Sequence, residues 1–277
     1  MPPSTSPTPL GDTAPFTPTP QRPVRVRARS LPADTHFQPH QHAWAQLAYC
    51  SVGILQVMVS TAAEVTTYIV PPSRGVWIAP GALHAVTVLE AAEFRTLYLD
   101  ESVTPPGWDG CRVIVISALV RELIQALDQA YGAPGRTHTM ETREAMLGTL
   151  LLDEIAHADT LALGVQLPRV DSGDKRLRAL CEAVLREPGN RASLAVLAAQ
   201  VGASERTMAR LFRQELGVGY QQWRQQVALS HALPMISQGA SISDVAASSG
   251  YASDSAFSAM FKAAMGQPPS QFRREKT

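Results

Sequence analysis

Cysteine, long apolar runs and an excess of one charge are scarce or absent in this 277-residue chain. No apolar run reaches the ~18 residues that a membrane-spanning helix needs. The first residues do not form a basic segment followed by an apolar one, so we expect no secretory signal. Cys50, Cys111 and Cys181 are too few and too far apart for a disulfide framework or a zinc-binding cluster. These features favour a protein of the reducing cytoplasm with no membrane partner.

The overall charge is zero, but the charged residues are unevenly distributed. Residues 1–168 carry 10 basic and 15 acidic side chains, whereas residues 169–277 carry 14 and 9, a net charge of +5. This asymmetry is typical of a segment that faces a polyanion, joined to a neutral or acidic segment. At about 150 residues per domain, the length also indicates two domains.

The pattern of apolar residues divides the chain into four parts. Residues 1–23 contain eight prolines and are predicted to form a disordered tail. Residues 24–162 contain short β-rich runs followed by two helices, residues 163–173 are predicted to be a linker, and residues 174–277 are helical in period. The predicted strands are 24–29, 44–51, 54–60, 66–70, 76–78, 85–89, 94–99 and 112–116, and the two helices are 117–131 and 141–158. The predicted fold class is therefore α+β, with an antiparallel β-sandwich or barrel, two helices and an all-α domain.

The helical segment contains an internal repeat. The matching positions are Ser193, Ala198, Gly202, Ser204 and Phe212 in the first unit and Ser241, Ala246, Gly250, Ser253 and Phe261 in the second. A glycine between two short helices permits the tight corner of a helix-turn-helix, and the serine that follows can cap the second helix. Two such units in a basic segment predict a double helix-turn-helix domain. The alternative is a helical bundle that serves dimerisation only.

The segment that connects the two units also fits nucleic acid. Residues 220–238 would span ~28 Å as a helix. One turn of B-DNA measures about 34 Å, so one subunit could place two recognition helices in successive major grooves.

Residues 175–274 resemble the DNA-binding domain of AraC/XylS-type transcriptional regulators. The resemblance lies in residues 197–207, in Ser249-Gly250-Tyr251 with the two phenylalanines that follow, and in residues 266–273. It implies double-stranded DNA as a partner, and RNA polymerase as a second partner if the protein is an activator. It also implies base contacts from Glu205, Arg206, Ala209 and Arg210 in the first recognition helix and from Asp254, Ser255, Ser258 and Ala259 in the second.

The residue chemistry supports the first recognition helix more than the second. Arg206 and Arg210 are four residues apart on one helix face, and arginine suits a bidentate contact with guanine; the alternative is a solvated charged face. Asp254 could accept from cytosine but would repel phosphate, so we expect the first unit to dominate specificity. The predicted DNA-binding set also includes Ser204, Thr207 and Ser253 at the helix starts, and Arg213, Arg224, Lys262, Arg273 and Arg274 as phosphate partners.

The β-rich segment carries a group of three histidines. His40 and His42 can share one face of a strand, and His84 follows a turn that can return the chain to the same place. This is similar to the cupin barrel, which has two histidines, a carboxylate four residues later and a histidine from a second motif. Gln46 stands where the carboxylate would be and Val88 where the second motif would have asparagine. A barrel of this kind before this DNA-binding domain resembles the cupin-sensor branch of the AraC/XylS family.

Three uses of the histidine group remain open. The histidines could hold a divalent metal ion, form part of a polar site for a small effector, or bond only within the barrel. The metal ligands would be His40, His42 and His84, and an effector site would add Gln46 with Trp44, Tyr49 and Trp77 as apolar walls. No cofactor other than this possible metal is predicted.

The sequence thus predicts an effector-controlled transcriptional regulator rather than an enzyme. The two helices after the strands carry apolar faces that could pair subunits, which predicts a homodimer. Two alternatives stay open: a metallocupin dioxygenase or isomerase with a helical appendage, and an architectural protein that binds DNA without an effector.

Overall fold

A computed structural model describes residues 8–9, 11–60, 64–132, 138–161, 163–169 and 171–272. The chain forms two compact units. The N-terminal unit consists of Met1–Val59 and Tyr68–Leu163, and the C-terminal unit consists of Ser60–Thr67 and Gly164–Thr277.

The N-terminal unit contains two antiparallel sheets and two helices, in agreement with the predicted fold class. Its elements are β1 (Val24–Leu31), β2 (His36–His40), β3 (Ala45–Cys50), β4 (Ile54–Ser60), β5 (Glu64–Val70), β6 (Arg74–Ile78), β7 (Leu83–Glu90), β8 (Ala92–Leu99), β9 (Arg112–Val115), α1 (Ala118–Gly132), α2 (His138–Ala156) and β10 (Thr160–Leu161). The first sheet has the strand order β1-β8-β3-β6-β9-β10, and the second contains β5-β4-β7-β2. The strands thus lie in two layers, with β1 at one edge of the first sheet and β2 at one edge of the second.

Two hydrophobic cores lie on opposite faces of the first sheet. One core joins it to the second sheet and contains Ala48, Val57 and Phe94. The other joins it to the two helices and contains Leu47 and Leu127. Because successive side chains of a strand point to opposite faces, β3 contributes to both cores. This alternation decides which residues can reach the space between the sheets.

The part of the predicted disordered tail that the structure describes makes defined contacts. Residues Ala14–Phe16 form a 3-10 helix, and the Phe16 ring centroid lies 5.1 Å from the guanidinium carbon of Arg27. Arg22 pairs with buried Glu144 at 2.8 Å. These contacts give residues 11–23 partners that proline content alone does not reveal. Residues 1–7 and 10 of the predicted tail lie outside the described residues.

Strand β2 was not predicted from the sequence. It contains Pro39, which has no N–H to donate, and it pairs with β7 with a register shift between Phe37 and His40. Proline is tolerated in edge strands, and such irregular pairing leaves no regular alternation to read. The strand matters because it carries one of the three histidines.

The C-terminal unit is helical apart from one short strand. Its elements are β11 (Val165–Pro168), α3 (Lys175–Arg186), α4 (Leu194–Gln200), α5 (Glu205–Glu215), α6 (Tyr220–Ser237), α7 (Ile242–Ser248) and α8 (Asp254–Met265). Strand β11 lies within the predicted linker and pairs with Glu64–Thr67, and the carbonyl of Gln166 accepts a 2.7 Å hydrogen bond from Trp223. No helix in the described part of the chain is both long and apolar enough to cross a membrane.

Candidate nucleic-acid interface and histidine cluster

Two helix-turn-helix motifs of matching geometry occur in the C-terminal unit. Helices α4 and α5 form the first and helices α7 and α8 the second. The corner residues Gly202 and Gly250 have φ angles of 69° and 86°, a left-handed conformation that favours glycine. The residue after each glycine donates a 2.9 Å backbone hydrogen bond to the preceding helix, from Ala203 to Ala198 and from Tyr251 to Ala246. The sequence repeat is therefore a structural repeat.

Each recognition helix begins and packs in the same way. Ser204 accepts a hydrogen bond from the backbone of Thr207, and Ser253 accepts one from Ala256, both at 3.2 Å. These bonds satisfy N–H groups that have no partner within the helix. Phe212 and Phe261, eight residues after the caps, are fully buried. A serine cap thus fixes the start of each recognition helix, and a buried phenylalanine anchors each helix to the core of the unit.

The exposed face of α5 is strongly basic. Arg206, Arg210 and Arg213 are exposed, while Met208 and Phe212 on the opposite face are buried. Among the described residues of the unit, the guanidinium of Arg210 bonds only to Gln214 of its own helix, at 2.6 Å. Arginines held on a helix surface in this way remain able to meet base edges and phosphates. Arg206, Arg210 and Arg213 therefore point away from the core of the unit.

The exposed face of α8 differs in charge. Ser253, Asp254 and Ser255 are exposed at its start, Ser258 is half-buried, and Lys262 is the cation of this helix. With one cation and one acid, α8 offers less attraction to phosphate than α5. The two motifs are alike in backbone and unlike in electrostatics.

The three predicted histidines come together in the N-terminal unit. His40 and His84 lie opposite each other on β2 and β7, and their ring centroids are 4.3 Å apart. The ring of His42 lies 5.0 Å from that of His84. One ligand nitrogen from each ring lies within 4.8 Å of the others. His84 is buried, whereas His40 and His42 are partly exposed.

The backbone sets the proton position on all three rings. The Nδ1 atoms lie 2.8 Å from Gln38 O in His40, 2.7 Å from Trp44 O in His42 and 2.8 Å from Ala82 O in His84. Because a carbonyl oxygen only accepts, each Nδ1 donates and each neutral ring keeps its lone pair on Nε2. Burial lowers the pKa of His84 to about 3 and also lowers the pKa of His40. These two rings are therefore neutral at pH 7, with Nε2 available as an acceptor or ligand.

Polar and aromatic groups complete the cluster. The side-chain amide of Gln46 lies 2.9 Å from His42 Nε2. The atom at this distance is the amide oxygen Oε1, which only accepts, so a neutral His42 is satisfied there only if the amide is turned to present its NH2 group. Trp44 stacks on His42 with centroids 5.1 Å apart, and Tyr98 meets His42 edge-on at 5.9 Å. Imidazole, amide and aromatic groups thus share one small space.

Comparison with known proteins assigns the chain to a family. A family model described as a helix-turn-helix domain matches residues 197–275. The HTH-type transcriptional regulator NimR of Escherichia coli K12 is 33% identical over 236 residues, which cover 84% of this chain and 81% of NimR. The chain belongs to the AraC/XylS family of transcriptional regulators. It is thus a DNA-binding protein, as the sequence predicted.

Two further proteins are similar to this chain, one over a shorter segment and one at a lower sequence identity. The HTH-type transcriptional regulator GlxA of Rhizobium meliloti is 34% identical over 94 residues, which cover 34% of this chain and 28% of GlxA. The solved structure of ToxT from Vibrio cholerae covers 90% of this chain and 97% of its own, with 12% identity and a TM-score of 0.37. The assignment to the AraC/XylS family therefore depends on the sequence relatives.

Two predicted effector-site residues of this AraC/XylS protein lie elsewhere. Tyr49 and Trp77 belong to the core between the first sheet and the helices, where the indole N–H of Trp77 donates to Trp108 O at 3.3 Å. The cause is the alternation along β3 and β6, which turns Gln46 toward the histidines and Tyr49 away from them. Placing Tyr49 and Trp77 in the effector site was wrong.

Arg224 also differs from its predicted role as a phosphate partner. Its guanidinium donates to the backbone carbonyls of Pro188 and Asn190, the latter at 3.2 Å. A Cβ atom at Gly250 would lie 2.7 Å from Arg224 Nη2 and would displace the end of that side chain, and the φ angle of Gly250 also favours glycine. Arg224 thus acts as an internal clamp that joins α6 to the loop after α3. Arg273 and Arg274, two other predicted phosphate partners, lie outside the described residues.

Sequence reasoning missed Tyr98 beside the histidines and two arginines on the same face of the first sheet. Tyr98 contacts both His42 and Trp44, and Arg27 and Arg29 lie on the same face of the first sheet as Tyr98. The signal was present as the alternating pattern Arg25, Arg27, Arg29 in a strand, which places three cations on one face. Only the pairing of β1 with β8 shows that this face of the first sheet points toward the second sheet.

Proposed function

We propose that this transcriptional regulator reads a specific DNA sequence through α5 and α8 and is controlled by a small ligand bound at the histidine cluster. The observation that carries the proposal is the pair of matched helix-turn-helix motifs with exposed arginines on α5. Base contacts are assigned to Glu205, Arg206, Arg210, Asp254, Ser255 and Ser258, backbone contacts to Ser204, Thr207, Arg213, Ser253 and Lys262.

Footprinting on the DNA upstream of the protein's own gene tests this function. We expect a protected site longer than one helical turn, because α6 has 18 residues and spans about 27 Å between the two motifs. The affinity for that site should exceed the affinity for a scrambled duplex at least about 10³-fold at physiological salt. Equal affinity for both duplexes would refute sequence-specific regulation.

The ligand of the N-terminal unit has two candidates in the same site. A small organic effector would bond to His40, His42, His84 and Gln46 and lie against Trp44. A divalent metal ion is the second candidate, favoured by the three Nε2 lone pairs whose orientation the backbone sets. Zinc holds nitrogen at 2.0–2.1 Å in a tetrahedral arrangement, which sets ligand nitrogens about 3.4 Å apart, so the rings would have to close from separations of up to 4.8 Å.

Metal titration separates these candidates. If the cluster binds metal, dialysed protein will take up one Zn²⁺ or Ni²⁺ per chain, and His40→Ala or His84→Ala will remove the binding. Gln46→Glu would add a carboxylate beside His42 and should raise the affinity about 10-fold or more. His157→Ala is the matched control, because His157 is exposed in the turn directly after α2. Uptake below one ion per chain, or uptake unchanged in His40→Ala, would exclude the metal.

The homodimer is part of the same proposal. Leu119 on α1 and Met146 and Leu150 on α2 are exposed, Met146 with 63% of its surface open. Met146 and Leu150 are four residues apart and so share one helix face. An exposed apolar face of this kind favours pairing with a second copy. Sedimentation at high protein concentration, with and without DNA, distinguishes a dimer from a monomer.

A further inference from the structure

The face of the first sheet that carries Gln46 and Tyr98 of the histidine cluster also carries positive charge. Across β1, β8 and β3, Arg27 lies beside Thr96 and Ala48, and Arg29 lies beside Phe94 and Cys50. Residues directly opposite each other share a face. Ala48, Cys50 and Phe94 belong to the core between the two sheets, so both arginines point toward that core.

These two arginines lack anionic partners in the described part of the chain. Arg27 Nη1 and Arg29 Nε are inaccessible to water and have no hydrogen-bond acceptor there. Each guanidinium contacts an aromatic ring instead: Arg27 lies over Phe16 at 5.1 Å and Arg29 over Phe37 at 4.8 Å. An aromatic face attracts a cation but does not satisfy its N–H groups.

Neighbouring charge adds to this imbalance. The pKa of Arg29 is lowered by burial and then by the positive charge of Arg27, while Tyr98 acts in the opposite direction. Two like charges facing a low-dielectric space repel each other unless an anion joins them. At the histidine cluster, Trp44 Nε1 and His84 Nε2 are also buried without a hydrogen-bond partner in the described residues.

We propose that the effector is a small organic carboxylate whose anionic group binds Arg27 and Arg29. A planar guanidinium matches the two oxygens of a carboxylate, and such charge-assisted bonds are stronger than neutral ones. The apolar part of the effector lies against Trp44 and Tyr98, whose rings meet edge-on 5.9 Å apart. Trp44 Nε1 and His84 Nε2 offer one donor and one acceptor to polar substituents. This inference rests on the proposed function, because it names the ligand class of the proposed effector site.

Thermal unfolding of the full-length protein in a buffer without carboxylates tests the proposal. The probes are hexanoate and benzoate, each compared with its neutral amide at equal ionic strength. At tenfold excess over Kd, we expect at least one acid to raise Tm by about 3–6 °C more than its amide. Arg27→Gln and Arg29→Gln should each remove most of this difference. Equal shifts from acid and amide, or a difference that persists in both variants, would overturn the proposal.

Two further measurements keep the test independent of folding and of DNA binding. Arg95→Gln is the matched control, since Arg95 lies on the opposite face of the same sheet and pairs with Asp128 at 3.7 Å; it should keep the acid-specific shift. Without ligand, Arg29→Gln should leave Tm unchanged or raise it, whereas a lower Tm would indicate a structural arginine and count against the site. If the wild-type protein binds its DNA site specifically but shows no acid-specific shift in Tm, only this inference is refuted. If the wild-type protein shows no specific DNA binding, the proposed function is refuted.

Discussion

Replacing both Arg206 and Arg210 with alanine is expected to abolish sequence-specific DNA binding while the protein stays folded. Both side chains are exposed on α5, so their loss removes no core packing. One bidentate arginine–guanine pair contributes about 1–3 kcal/mol of discrimination, and two pairs therefore contribute about 30-fold to 10⁴-fold in affinity ratio. Competition binding with the footprinted site and a scrambled duplex measures this ratio.

The single variants and a surface control sharpen this test. Each single variant should relax the preference at its own base pair only, because base contacts are local. Arg186→Ala removes an exposed arginine of α3 in the same unit and should leave the ratio unchanged. If the double variant Arg206→Ala/Arg210→Ala bound both duplexes more weakly by the same factor, the two arginines would be phosphate contacts. Other residues would then make the contacts with the bases.

The two motifs are expected to contribute unequally to recognition. Both helices begin with an acid, Glu205 in α5 and Asp254 in α8, but α5 carries three arginines and α8 carries a single cation, Lys262. An acid at the start of a recognition helix can accept from cytosine but repels the nearby backbone. We therefore expect substitutions on α5 to change sequence preference and Lys262→Ala to weaken binding to all sequences alike.

The helical unit could be predicted almost residue by residue because its signals are local. Serine caps, corner glycines and apolar residues at helical spacing all act within a few positions of the chain. Helix α6 covers Tyr220–Ser237 and so ends one residue before the predicted segment 220–238. Pro234 lies inside α6, and the helix continues for three residues beyond it.

The N-terminal site was harder to predict because it depends on pairing between distant strands. Period-2 alternation indicates which residues share a face but not which face meets which layer. The histidines were found because three of one type are unusual, whereas Tyr49 and Trp77 were assigned to the wrong face. Arg27 and Arg29 were missed for the same reason, since only the pairing of β1 with β8 reveals their direction.

Replacing Arg224 with methionine is expected to destabilise the C-terminal unit without changing the salt dependence of DNA binding. The substitution keeps most of the aliphatic stem but removes the donors to the Pro188 and Asn190 carbonyls. Bonds from a charged donor contribute about 1.5–3 kcal/mol each, so we expect the loss of two bonds to lower the free energy of unfolding by about 3–6 kcal/mol. Denaturant unfolding of the full-length protein measures this loss.

The salt dependence distinguishes an internal clamp from a phosphate contact. A phosphate contact contributes about one unit to the slope of log K against log salt, so exposed Arg213→Ala should reduce that slope by about 1. Arg224→Met, measured well below its melting temperature, should keep the wild-type slope because its guanidinium already bonds within the unit. A variant with unchanged stability and a slope reduced by 1 would restore Arg224 to the DNA interface. Gly250→Ala should also lower the stability of the unit. Its Cβ would lie 2.7 Å from the same guanidinium, and the alanine would have to adopt an unfavourable φ of 86°.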